Sequence, residues 1–347
     1  MPNRRKNFGV YFCSKENRDR VYSGEERMRL AKMTRVYPTR IDEANWKEHR
    51  RALSEARMVF STWGGLKLSP RFLEAMPNLE AYFYAAGDVT GIMSDEAWDR
   101  GIRISSANEA NAKSVAEFVL AQTVFSLKRG WEYMRLTKTH RPDLWGCNKP
   151  VAGTYRSTLG LLSIGQISRR LCHLLRDFDI NIIATDDRVS EAECELLGIK
   201  LVDRKTLFSE SDVISIHLWN NAYPKGLIGR DLLRLMKRNA TLINTSRGCV
   251  INQRDLERFL QERSDVYACI DVTDPEPPEA DCTLLQLDNV VLTPHLAGSM
   301  ANESYRLGRY VTEEVRRYLD GEPLRGEVTR EMVRKPSFIR GLQHELV

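Results

Sequence analysis

Three short segments in the last third of this 347-residue chain carry the residue types that proton transfer and anion binding need. They are Ile243-Asn244-Thr245-Ser246-Arg247-Gly248, Ile270-Asp271-Val272-Thr273-Asp274-Pro275-Glu276-Pro277 and Leu292-Thr293-Pro294-His295-Leu296-Ala297-Gly298-Ser299. Arginine presents a planar fork of N–H donors that fits a carboxylate. Imidazole titrates near neutrality, so a single histidine can both give and take a proton. Taken singly, an arginine after a strand is a solvated side chain, Thr-Pro-His is a loop, and Asp-Pro-Glu-Pro-Pro is a rigid polar turn. What the three segments share is context, since each follows an apolar run that reads as a strand. Ligands of open α/β sheets bind beyond the carboxyl ends of the strands, so the three loops are expected in one crevice.

A fourth segment, Gly160-Leu161-Leu162-Ser163-Ile164-Gly165-Gln166-Ile167-Ser168, follows a strand pattern and opens a helix pattern. That is the context of a dinucleotide-binding turn. Gly165 lets the backbone approach a pyrophosphate, and the helix that starts at Gln166 and Ile167 offers unpaired N–H groups to it. Asp186 ends the next strand pattern, at the distance of a ribose-binding carboxylate. Two of the three fingerprint glycines are replaced, by Ser163 and Ser168. Ser168 is small enough for helix–strand packing and has a hydroxyl to offer a phosphate. Ser163 occupies a position that favours a tight turn. On this segment alone, a nucleotide site and an ordinary strand–helix turn remain equally open. The Asp186 charge disfavours a 2′-phosphate, and Arg188 nearby opposes that preference in part.

Short apolar strands alternate with amphipathic helices along the chain, the pattern of α/β folds with parallel sheets. A first series of strands is expected at 8–12, 34–37, 58–62, 80–85 and 103–106, with a helix at 43–56. A single long helix is expected over about 112–137. A second series of strands is expected at 158–163, 180–185, 213–217, 240–244, 267–270 and 290–292. Helices are expected between them at 167–176, 231–236 and 253–261. A last helix runs over 300–319 and stops at Gly321-Glu322-Pro323. The polar tail after Arg325 carries no pattern.

The length suggests two domains. Fifty-two basic and 47 acidic residues leave a net charge of +5 with the signs interspersed, so no basic run exists to track nucleic acid. The seven cysteines form no CxxC pair and no cluster with His at ligand spacing, which points to reduced thiols and no metal. No apolar run approaches the ~20 residues of a membrane span, and the stretch after the basic N-terminus is too short for a signal core. A cytoplasmic protein with no membrane or nucleic-acid partner is therefore expected. His49, His140, His173 and His344 read as ordinary surface or packing histidines.

With Thr62-Trp63-Gly64-Gly65, Ala85-Ala86-Gly87 and the run 105–117 holding Asn108, Asn111 and Val115-Ala116-Glu117, these segments stand in a familiar order. The chain resembles the D-isomer-specific 2-hydroxyacid dehydrogenases over nearly its whole length. That family includes phosphoglycerate, D-lactate and glyoxylate/hydroxypyruvate enzymes. The resemblance implies an α/β fold of two Rossmann-like or flavodoxin-like domains with parallel sheets. A nucleotide domain at 112–302, opened by a dimerisation helix, would be inserted in a split substrate domain of residues 1–111 and 303–347. It implies a homodimer and reversible hydride transfer between NAD(H), rather than NADP(H), and a 2-keto or 2-hydroxy acid.

By the same resemblance, Arg247 binds the substrate carboxylate and carbonyl oxygen, and His295 is the general acid or base. Glu276 holds the other ring nitrogen of His295, and Asp271 accepts from the nicotinamide carboxamide. Leu218, Thr245, Ser246 and Gly298 join Gly165, Gln166, Ile167 and Asp186 around the cofactor. Ala86, Gly87 and Asp88 form the substrate loop. Glu276 disfavours the formate dehydrogenase branch, which uses an amide there. An NAD(H)-sensing binding protein, like the C-terminal-binding corepressors, is the alternative from another class.

Three departures from the family pattern stand out. Leu218-Trp219-Asn220-Asn221 follows His217 where the family has a proline and threonines, so Trp219 and Asn221 would alter the cofactor wall. His217 itself reads as a packing residue with local hydrogen bonds. Asp88 puts a negative charge in an anion-binding loop, where it reads best as an exposed turn residue. The basic residues that a phosphorylated substrate requires are available as Lys113, Arg129 and Arg141.

Overall fold

The computed structural model describes residues 7–139, 144–145, 151–218 and 225–334. Trp219, Asn221, His140, Arg141, Cys147 and His344 lie outside the described residues. The strands are β1 (Phe8–Tyr11), β2 (Arg35–Val36), β3 (Met58–Ser61), β4 (Ala81–Tyr84) and β5 (Arg103–Ser106). They continue with β6 (Thr158–Leu162), β7 (Asn181–Thr185), β8 (Ile199–Leu201), β9 (Val213–Ile216), β10 (Thr241–Asn244), β11 (Tyr267–Ile270), β12 (Val290–Leu292) and β13 (Glu327–Val328). Two sheets result, in the orders β13-β5-β4-β3-β1-β2 and β12-β11-β10-β9-β6-β7-β8. All pairings are parallel except β13 with β5.

The chain divides into two compact units. Described residues of Met1–Ala112 and Ser299–Lys335 form one, and those of Lys113–Gly298 belong to the other. In the first unit, alternate side chains of each strand enter opposite layers. Val10, Val59, Tyr82 and Ile104 pack on one face with Leu53, Phe72 and Met76. Tyr11, Phe60 and Phe83 pack on the other, against Leu307, Val311 and Val315 of helix Ser304–Leu319. In the second unit, Leu161, Ile243 and Cys269 join Val115, Val119 and Leu171 on one face. Leu162, Ile216, Leu242 and Ile270 join Phe208, Leu256 and Phe259 on the other. Burial on both faces is why these strands read as continuous apolar runs. Serine, asparagine and aspartate caps start many of the helices, for example Ser14 before Lys15–Val21 and Asn252 before Gln253–Glu262.

The structure corrects several expectations. The long helix expected over 112–137 is two helices, Asn108–Leu127 and Gly130–Thr137. Arg129 breaks it in a left-handed conformation, φ 50°. The segment 43–56 is a 3-10 turn at Trp46–His49 followed by helix Arg50–Glu55. The tail read as unpatterned supplies β13, the antiparallel edge of an otherwise parallel sheet. β8 was not anticipated, because it has only three residues, of which Lys200 is exposed. No helix among the described residues is long and apolar enough to cross a membrane.

The return of the chain into the first unit depends on one close approach. A Cβ on Gly308 would lie 2.2 Å from the carbonyl oxygen of Val21, so helix Ser304–Leu319 rests on bare backbone there. Gly308→Ala is therefore expected to destabilise this unit by about 1–3 kcal/mol through overpacking. Gly24→Ala is the control, because a Cβ there meets nothing within 4 Å. Denaturant unfolding of both variants checks this, and equal midpoints would contradict it.

Candidate active site

The residues expected to carry chemistry divide between the units. Arg247, Glu276 and His295 lie in the second, as do Gly165, Gln166, Ile167, Asp186, Leu218, Thr245, Ser246, Asp271 and Gly298. Ala86, Gly87 and Asp88 lie in the first. Within the second sheet, β6 is flanked by β7 on one side and β9 on the other. The chain order reverses between them, making the switch point at which open α/β sheets bind ligands.

His295 and Glu276 meet directly, with the ring Nδ1 2.5 Å from a Glu276 carboxylate oxygen. Both side chains are close to half exposed. That contact commits Nδ1 to the carboxylate and leaves Nε2 as the nitrogen available to a ligand. His295 has φ 50°, a left-handed conformation that costs a side chain of this size about 1–3 kcal/mol. Asp271 holds it there. The Asp271 carbonyl accepts from the His295 N–H (3.0 Å). Its carboxylate accepts from the N–H groups of Leu296 (2.8 Å) and Ala297 (3.0 Å) and from the Thr293 hydroxyl (2.6 Å). Asp271 was expected to serve the nicotinamide. The three carboxylate contacts here all go to the loop that carries His295, and the side chain is buried.

Arg247 follows β10 in extended backbone and is partly buried. Its guanidinium donates to the Ser246 carbonyl (2.7 Å). Buried Asn244 shapes the turn by accepting from the Ser246 N–H and hydroxyl and donating to the Arg247 carbonyl (3.1, 2.9 and 3.0 Å). A Cβ on Gly248 would fall 2.0–2.2 Å from the carbonyl group of Thr273. The arginine loop therefore packs on the backbone of the segment that leads to Glu276. Gly248, Asn244 and Thr293 were not singled out from the sequence. A glycine directly after a functional arginine was the available signal for Gly248.

At the glycine-poor turn, Ser163 adopts φ 80° despite its side chain. Its N–H donates to Thr185 (3.1 Å), its hydroxyl to Asp186 (3.1 Å), and its carbonyl accepts from the Ser168 hydroxyl (2.6 Å). The Ser168 hydroxyl, expected to serve a phosphate, is instead buried in this contact. Asp186 sits at the end of β7 as expected, but its carboxylate is already well occupied. It accepts from the Ile164 N–H (2.8 Å) and from the backbone and guanidinium of Arg188 (2.9–3.1 Å). Burial alone would raise this carboxyl. The donors of Arg188 and Ile164 outweigh burial and hold it below the usual carboxylate range.

The turn fits a dinucleotide on two observations. A Cβ on Gly165 would meet nothing within 4 Å, so the backbone there is open to close approach. Among the described residues, no side chain caps helix Gln166–Leu174, which leaves its first N–H groups for an anion. Buried Leu218 follows His217 at the end of β9, and Gly298 is partly buried.

In the first unit, the loops after β3, β4 and β5 are knitted together. The Thr62 hydroxyl donates to Ala85 (2.9 Å), and the Ser106 hydroxyl to Ala86 (3.0 Å) and Gly87 (2.5 Å). The Asp88 carboxylate accepts the N–H of Thr90 (2.9 Å), turning the charge back onto its own loop.

The structure also predicts a pH dependence. Burial pulls His217 down from the ordinary 6.5 to about 3, so it is neutral in the folded protein at neutral pH. Between those values the unfolded chain binds a proton that the folded chain does not. The contribution of His217 to stability is complete above 6.5 and is lost as pH falls toward 3. His217→Gln should flatten this acid slope in thermal melts recorded across that window. An unchanged slope would contradict the burial of a neutral ring.

Comparison with known proteins agrees with this architecture. Residues 123–297 match the family model for the NAD-binding domain of D-isomer-specific 2-hydroxyacid dehydrogenases. A D-3-phosphoglycerate dehydrogenase of Archaeoglobus fulgidus is 29% identical over 273 residues, 78% of this chain and 51% of that protein. The chain thus spans about half the length of such relatives. A glyoxylate reductase of Korarchaeum cryptofilum is 31% identical over 269 residues, 76% of this chain and 81% of that protein. A solved phosphoglycerate oxidoreductase from Rhizobium etli has the same fold, with a TM-score of 0.79 at 21% identity, covering 94% of this chain and 99% of that one.

Proposed function

The chain belongs to the D-isomer-specific 2-hydroxyacid dehydrogenase family, and we propose that it reduces a 2-keto acid to the 2-hydroxy acid with NADH, reversibly. The observation that carries this reading is the 2.5 Å contact between Glu276 and His295, on a loop held at four points by Asp271 and displayed beyond β12.

When bound, NADH supplies the hydride that reaches the carbonyl carbon. His295 gives the proton that the carbonyl oxygen takes up, from Nε2, and recovers it in the reverse direction. Glu276 fixes the ring orientation through Nδ1 and stabilises the charged imidazolium. Arg247 binds the substrate carboxylate and offsets the negative charge that builds on the carbonyl oxygen. Gly165, Gln166 and Ile167 receive the pyrophosphate. Asp186 closes the adenosine end, where its charge favours NAD over NADP. The exposed apolar side chains of Phe125, Met134, Trp145 and Tyr155 on and near the two helices over 108–137 support a homodimer.

The reading is tested by NADH oxidation across a panel of 2-keto acids. Turnover with at least one acid is expected. His295→Ala should lower turnover by about 10²–10⁴-fold, the range of general acid–base catalysis, while NADH binding stays unchanged. NADH binding without turnover of any acid would make the protein a binding module instead. Light scattering on the same preparation should give a mass near two chains, and a mass near one would overturn the dimer.

A further inference from the structure

A cavity of about 270 Å³ opens in the second unit at the end of helix Asn108–Leu127, where Arg129, Ala152, Asp212, Arg238 and Asn239 help to line it. Chain position fixes where it lies. Asp212 directly precedes β9, Asn239 stands two residues before β10, and Ala152 belongs to the segment that leads into β6. The cavity is therefore at the amino ends of these strands, whereas Arg247, Glu276 and His295 follow carboxyl ends. Arg129, which the sequence offers for the phosphate of a substrate, lies at the opposite end of the sheet from that catalytic set.

The Arg129 side chain is nine-tenths buried, at 10% exposure. Its Nε donates to the Glu132 carboxylate, and its Nη1 is buried with no hydrogen-bond partner. Other buried polar atoms also lack partners, Thr185 Oγ1 and Arg135 Nε among them, and an unpaired atom alone makes no site. Arg129 differs in combining a permanent charge, near-complete burial and a place on the wall of a cavity. An unpaired donor on a buried cation costs more than one on a neutral group, so this nitrogen calls for an acceptor.

The charges around the cavity say which acceptor fits. Both nearby carboxylates are already satisfied. Glu132 pairs with Arg129, and Asp212 accepts from the Lys237 ammonium (2.5 Å) and the Thr158 N–H (2.8 Å). Arg238 is exposed and has no ion-pair partner among the described residues. Three cations, Arg129, Lys237 and Arg238, thus stand against two carboxylates, which leaves an excess of one positive charge. We propose that this cavity binds a small dianion, a phosphorylated or dicarboxylic metabolite, between Arg129 and Arg238. Two guanidinium forks match the oxygen geometry of either group. The volume falls just under the ~300–1,000 Å³ of pockets for drug-sized ligands, which suits a small metabolite and not a second dinucleotide. The proposal stands apart from the dehydrogenase reading.

Calorimetric titration of the full chain with inorganic phosphate and with succinate, at fixed ionic strength, tests this. NADH is titrated in parallel, and melting temperatures without ligand check that each variant is folded. Arg129→Lys keeps a charge for Glu132 and loses the fork. Arg129→Gly removes the guanidinium at a φ of 50° that glycine adopts freely. Arg238→Gln deletes an exposed charge and keeps the test open should both Arg129 variants fail to fold. At least one of the two anions is expected to bind the unmodified chain. Arg129→Lys should weaken that anion by about tenfold, the loss of one charge-assisted contact, and Arg129→Gly should abolish its binding. Arg238→Gln should weaken it by a smaller factor, because solvent and salt screen the rim. NADH affinity should not change in any of them. Binding of phosphate alone identifies a phosphorylated ligand, and binding of succinate alone a dicarboxylate. No binding of either anion, binding unchanged in a folded variant, or binding that NADH displaces overturns the proposal. The last result would place the anion at the Gly165 turn instead.

Discussion

The candidate site depends on one buried carboxylate. Asp271 follows β11 and faces the loop after β12, where two backbone N–H groups and one hydroxyl point back at its carboxylate and a third N–H at its carbonyl. Without those contacts nothing in the local sequence would keep His295 at φ 50°, since Pro294 restricts its own φ and the preceding Thr293 but not the residue after it. The carboxylate offsets a conformational cost of about 1–3 kcal/mol by satisfying donors that a buried loop would otherwise leave unpaired. Glu276 lies five residues beyond Asp271 on the same strand-end segment. One short stretch of chain thus supplies both the anchor of the histidine loop and the partner of the histidine ring. Gly248 completes the arrangement by letting the arginine loop lie on the backbone of that stretch.

The nucleotide turn solves a different problem with similar means. Serine in place of the first glycine introduces a side chain into a left-handed turn, and the structure gives that side chain work. Its hydroxyl reaches Asp186, its carbonyl receives Ser168, and Arg188 binds both Ser163 and Asp186. The two replaced glycines have become members of one hydrogen-bonded cluster around a buried charge. The turn is thereby rigid without glycine, and Gly165 is kept where open backbone is needed. The site is dense in polar groups that bind one another.

Much of this was legible in the sequence, for reasons that differ by residue. The strands that deliver Arg247, Asp271 and His295 are buried on both faces and announce themselves as apolar runs. Loop positions at their ends followed from that. The pairing of Glu276 with His295 was an expectation from family resemblance, and the geometry agrees with it. The anchoring by Asp271 was not legible, because all but one of its partners, the Thr293 hydroxyl, are backbone groups, and they lie on a loop more than 20 residues away. The break at Arg129 was hidden for a similar reason. Arg129 is a non-glycine residue in a left-handed conformation, and the glycine after it, Gly130, leaves room for the Phe125 ring. β13 is two residues long and gains its identity only from β5 beside it.

The central claim, that Asp271 holds the His295 loop in place, is tested most directly by hydrogen exchange at the amides of His295, Leu296 and Ala297. The account predicts that all three exchange at least about a hundredfold more slowly than an unstructured chain, and that Asp271→Asn removes the protection at Leu296 or Ala297. Exchange at the rate of an open loop in the unmodified protein, or full protection in the variant, would contradict it.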